Sequence, residues 1–107
     1  ASVGKTEQQC KQEELDYYVG MNSYKDSAMG MALRSPKDEF VKLIFEGKSD
    51  VLIGAHVVGK EAATMIHMLI LAVTKKLTRD DLQSMVYIHP ALPEVVRNAV
   101  RNTVIKN

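Results

Sequence analysis

The chain has 107 residues, 46% hydrophobic and 25% charged, and its 14 Lys and Arg against 13 Asp and Glu leave a net charge of +1. A chain this long buries roughly 65% of the surface it exposes when unfolded, enough for one domain with its own core, and its near-neutral balance exerts no pull on nucleic acid or anionic lipid. Cys10 is the only cysteine, which excludes an intrachain disulfide and fits a reducing, cytoplasmic setting.

The chain opens ASVG without an initiator Met, as expected of part of a longer protein, and nothing in its first residues has the pattern of a signal peptide. Thr6 and Gln9 have capping-box spacing, so TEQQCKQEE is expected as a short, mostly solvated helix that supplies little core. DYYVGM, residues 16–21, has the aromatic and β-branched content of a strand. The stretch after it, NSYKDSAMGMALRSPKDE, is the least regular, with Met29, Met31 and Leu33 expected in a brief buried turn. FVKLIFEGKSDVLIGAHVVG, residues 40–59, reads as an antiparallel hairpin, two apolar β-branched runs flanking a polar loop.

EAATMIHMLILAVTKKL is apolar nearly all round, so a helix covered on most sides is expected. Its charge order, with Glu61 first and Lys75 and Lys76 last, suits the helix macrodipole. The apolar run from Ala62 to Val73 is too short for the roughly 20 residues of a membrane span. Thr78 and Asp81 make a second capping box, opening TRDDLQSM. Pro93 suits the first position of a last helix through EVVRNAVRNTV, with Val95, Val96, Ala99, Val100 and Val104 as its apolar stripe. Strands early and helices late, without βαβ alternation, give an α+β fold with helices packed on one side of an antiparallel sheet, as a single domain over 1–107.

Chemistry concentrates in YIHPALPE, residues 87–94. His89 carries the one side chain that exchanges protons near neutrality. Pro90 keeps the backbone beneath it extended. Glu94, at a helix N-terminus, is suited to remain ionised and to orient an imidazole. This is the base and orienter of a triad without its nucleophile, since the only thiol lies far away in a polar helix. On spacing alone, a structural turn with a capping carboxylate is the better reading.

Taken together, ASVGKTEQQ, the hairpin over 40–59, LTRDDL and HPALPE occur in an order and spacing that resembles the C-terminal dimerisation domain of the flavin-dependent pyridine nucleotide disulfide reductases. That is the family of dihydrolipoamide dehydrogenase, glutathione reductase and mercuric reductase. The likeness covers nearly the whole chain, and HPALPE matches its H-P-x-x-x-E. It implies a homodimer in which His89 enters the partner subunit's disulfide site as acid/base while Glu94 holds its ring, with a cis peptide before Pro90. It also implies FAD and NAD(P) in the full-length enzyme. None is expected in this chain, which lacks G-x-G-x-x-G and paired cysteines and so should catalyse nothing alone.

Departures from the family pattern bear on the substrate. Ala91 replaces the common Thr, Tyr87 stands where a second histidine is frequent, and Pro93 stands where Ser is frequent. Retention of His89 is unlike mercuric reductases, and Leu92 leans toward dihydrolipoamide. The rival is a non-catalytic dimerisation module with a vestigial dyad. Elsewhere, His56 reads as structural, His67 as a core or interface residue, Cys10 as a packed or half-exposed thiol, and Met65 and Met68 as core filler. No histidine spacing supports a metal.

Overall fold

The computed structural model describes residues 1–34 and 38–106. Five strands form one sheet: β1 (Ser2–Gly4), β2 (Tyr17–Ser23), β3 (Phe40–Glu46), β4 (Leu52–Val58) and β5 (Thr103–Lys106). Their order is β1-β4-β3-β2-β5, and every neighbouring pair is antiparallel. The hairpin expected over 40–59 is β3 and β4, with Val41 opposite Val57 and Leu43 opposite Ala55. Among the described residues five α-helices accompany the sheet: α1 (Glu7–Gln12), α2 (Ala28–Ala32), α3 (Ala62–Thr74), α4 (Arg79–Ser84) and α5 (Glu94–Arg101). Both expected capping boxes are formed, with the Gln9 N–H donating to Thr6 and the Asp81 N–H to Thr78.

Strand alternation divides the apolar side chains between two faces. Tyr18, Val41, Leu43, Phe45, Leu52 and Val57 join residues of α3, α4 and α5 in the main core, with the Tyr18 and Phe45 rings stacked 5.3 Å apart. The later helices thus lie on one side of the sheet, as the α+β reading requires. On the opposite face α1 adds a smaller cluster, where Cys10 packs against Tyr17, Val19 and Ile44. Cys10 is fully buried, so α1 contributes more core than its polar sequence implies. Burial raises its thiol pKa, as expected of a packed rather than a reactive cysteine.

Several expectations need correction. The last helix stops at Arg101, and Val104 belongs to strand β5, paired with Val19; its side chain lies outside the described residues. The β-branched run Thr103, Val104, Ile105 favours an extended backbone once β2 offers an edge to pair with. ASVG contributes β1, whose Val3 faces Ala55. In the irregular stretch a 3₁₀ turn (Tyr24–Asp26) leads into α2; Tyr24 is fully buried in the main core, and of Met29, Met31 and Leu33 only Met29 packs on it, because the other two are exposed. Residues 35–37 of that stretch lie outside the described residues. Within this chain α3 is covered on one face only: Met65, Ile66, Leu69 and Ala72 are buried, whereas His67, Ile70 and Leu71 are exposed. His67 is therefore not a core residue.

Candidate functional site

The last helix rests directly on β2, and its first residue brings a carboxylate beneath the HPALP loop. Glu94 is 3% exposed. Its Oε1 and Oε2 lie 3.0 and 2.9 Å from His89 Nδ1, and the backbone N–H of Ala91 donates to Oε1 at 3.1 Å. An ionised carboxylate can only accept, so Nδ1 carries the ring proton and Nε2 keeps its lone pair in the neutral imidazole. The His89 side chain is 69% exposed against 4% for Glu94, so the ring faces outward and the acid inward. The His89–Pro90 peptide is cis.

The bond from His89 does most to hold the Glu94 carboxyl below the usual carboxylate range. The Ala91 N–H and the positive charges of His89 and Arg97 add to it, against the opposing effect of burial. A folded carboxyl that is the stronger acid contributes stability that is complete above its unfolded pKa and disappears as pH falls through the folded value. Urea unfolding of Glu94→Gln and the parent chain should therefore differ most near pH 7, with the gap closing toward about pH 3. A gap that does not change with pH would show that this ionisation is not linked to folding.

Sequence reasoning brought His89 and Glu94 together, and the structure joins them by a hydrogen bond. It missed Arg97, whose Nη2 lies 3.2 Å from Glu94 Oε2. The i, i+3 spacing of Glu94 and Arg97 on a helix was the available signal. His56 takes the structural part expected of it: Nε2 donates to the Lys5 carbonyl at 3.0 Å, leaving Nδ1 to accept from Ser2 Oγ at 2.9 Å, which ties β1 to β4. The segment before His89 is apolar and open to solvent, with Val86 85% and Ile88 71% exposed and Met85 also exposed. Tyr87 anchors it by donating to the Leu82 carbonyl at 2.8 Å.

A cavity of about 490 Å³ bordered by Tyr18, Asp50 and Arg79 includes neither His89 nor Glu94. Among the described residues no group of three or more His, Cys, Asp or Glu is placed to hold a metal ion, and no helix is long and apolar enough to cross a membrane. Because all five strands are antiparallel, the described residues form no parallel βαβ crevice of the kind that takes a dinucleotide pyrophosphate.

Residues 1–100 match the family described as "Pyridine nucleotide-disulphide oxidoreductase, dimerisation domain". The chain is 43% identical over 101 residues to the mycothione reductase of Mycobacterium tuberculosis, an alignment covering 94% of this chain and 22% of that protein. It is 36% identical over 100 residues to a dihydrolipoyl dehydrogenase of Corynebacterium glutamicum, covering 92% and 21%. Among solved structures, LpdA of Mycobacterium tuberculosis shares the fold with a TM-score of 0.84 at 22% identity, over 94% of this chain and 22% of that one. An NAD-dependent persulfide reductase from A. fulgidus is similar with a TM-score of 0.69 at 32% identity, over 92% and 19%. The chain thus spans about a fifth of the length of these curated relatives.

Proposed function

Because the chain belongs to the dimerisation-domain family of the pyridine nucleotide-disulphide oxidoreductases, we propose that it joins two copies of a longer flavin-dependent disulfide reductase. In the same step it presents His89, backed by Glu94, to the disulfide site of the partner subunit. The observation that carries this reading is the outward imidazole whose Nδ1 is held by a buried carboxylate while Nε2 is left available. At that site Nε2 takes the proton of a substrate thiol, and the resulting imidazolium is stabilised by the Glu94 carboxylate until the proton is returned.

The flavin and the nicotinamide nucleotide, FAD and NAD(P), are held by other segments of the parent protein, in keeping with the all-antiparallel sheet here. These cofactors supply the electron transfer, and this chain supplies the dimer contact and the proton acceptor. A cytoplasmic setting accords with the single buried free thiol. For the substrate, Leu92 supports a dihydrolipoamide-like dithiol. The 43% identity to a mycothione reductase favours a second reading, a low-molecular-weight thiol disulfide.

The dimer half of the proposal is tested by sedimentation equilibrium. An apolar surface built to meet a second copy leaves the unpaired chain prone to associate, so the protein should sediment as a dimer. Val86→Asp or Ile88→Asp should weaken association by roughly tenfold or more. A chain that remains monomeric at high concentration would remove the dimer role.

A further inference from the structure

We infer that Arg97 is a positioning residue, which by clamping Glu94 decides which nitrogen of His89 is offered outward. The inference deepens the reading above and takes its catalytic meaning from it, although its geometry stands independently. Arg97 Nη2 is shared between Glu94 Oε2 at 3.2 Å and Asn98 Oδ1 at 3.3 Å. Asn98 Nδ2 in turn donates to Oδ1 of Asn22 at 3.4 Å, and Asn22 is a buried residue of β2. A continuous line of polar contacts therefore runs from the sheet to the exposed imidazole, with the guanidinium at its centre.

The arginine holds this pose against an opposing cost. Its Nε is buried and has no hydrogen-bond partner among the described residues, and a buried donor left unpaired is unfavourable. The side chain is 28% exposed, so its head has a route to water. It is held there by the ion pair of Nη2 with Glu94 and by its hydrogen bond to Asn98. The terminal torsion of a glutamate is broad and roughly two-fold. Without Arg97 the carboxylate keeps its anchor at Oε1, where Ala91 N–H donates, but Oε2 loses its second contact, so the plane can turn about that anchor and the imidazole can flip and exchange its nitrogens.

The charged groups facing Glu94 are His89 from the preceding loop and Arg97 from its own helix. The charge of Arg97 also acts on the Tyr87 phenol, which burial keeps neutral, and β2 contributes the uncharged Asn22. From α4, Arg79 bonds the Val100 carbonyl near the other end of α5.

Long-range 15N–1H NMR of the ring nitrogens in the 107-residue chain, recorded where the imidazole is neutral, reads the tautomer of His89 directly. The parent chain should show the Nδ1–H form. Arg97→Gln should give a mixture of the two tautomers, with Arg97→Lys, which restores charge without the planar fork, in between. A folded Arg97→Gln with the tautomer unchanged overturns the inference, as does a parent chain in the Nε2–H form. If Arg97→Gln does not fold, Asn98→Ala decides in its place, because it removes the hydrogen-bond acceptor that steadies the same nitrogen. A mixed tautomer then supports the inference and an unchanged one ends it. These outcomes are separate from the reductase reading, which fails if His89→Gln leaves turnover intact whatever the tautomer proves to be.

Discussion

In a reductase carrying this domain, His89→Gln is expected to slow reaction with the dithiol or disulfide substrate by roughly 10²- to 10⁴-fold, the usual contribution of a positioned acid/base. Flavin should remain bound, since the described residues provide no dinucleotide crevice. Gln keeps a polar side chain of similar reach but cannot accept a thiol proton and stabilise the resulting charge. Stopped-flow measurement of the dithiol half-reaction isolates this step from reoxidation by the nicotinamide. Glu94→Gln should give a smaller loss, because it leaves the imidazole present and removes only its anionic partner. Unchanged turnover in His89→Gln would instead identify the chain as a dimerisation module whose dyad is vestigial.

A large loss of stability is expected away from the dyad, at Gly20 in the middle of β2. A Cβ added there would stand 2.1 Å from the Ala99 carbonyl oxygen and 3.0 Å from its carbon. Both are backbone atoms of α5, and no rotamer change can move them aside. Gly20→Ala must lift the helix off the sheet, and overpacking of this kind costs about 1–3 kcal/mol. The contact is backbone to backbone, so the upper end is expected, and more for Gly20→Val. Urea unfolding should show a lower midpoint with an unchanged slope. Since α5 carries Glu94 and Arg97, its displacement should also disturb the tautomer of His89. A midpoint equal to that of the parent chain would mean that the helix is free to shift, contrary to the close seat described.

Much of the architecture was legible because short-range physics governs it. Thr6 with Gln9 and Thr78 with Asp81 are local reciprocal hydrogen bonds, and both formed where the spacing placed them. The β3–β4 hairpin followed from two β-branched runs across a polar loop, and α3 from its apolar content. The family resemblance added what spacing left open, since H-P-x-x-x-E by itself described a capped turn as well as a dyad. Where the reading failed, a distant partner made the decision. Val104 continued the apolar stripe of a helix, yet the free edge of β2 drew residues 103–106 into a strand. Leu71 and His67 looked covered, yet in one chain the sheet reaches only one face of α3.

By itself the sequence determined the α+β class, the starts of α1, α3, α4 and α5, the hairpin and the presence of His89 and Glu94 on either side of a proline, all set by neighbours a few residues apart. Tertiary structure alone decided that Glu94 is buried while His89 is exposed, that Gly20 admits α5 to the sheet, and that Arg97 reaches Glu94 with Asn98 and Asn22 behind it. The physical reason is that burial and hydrogen-bond direction depend on which surfaces meet. That choice is made by the packing of a helix from the C-terminal end against a strand some eighty residues earlier, as the Asn98 to Asn22 bond across 76 positions shows.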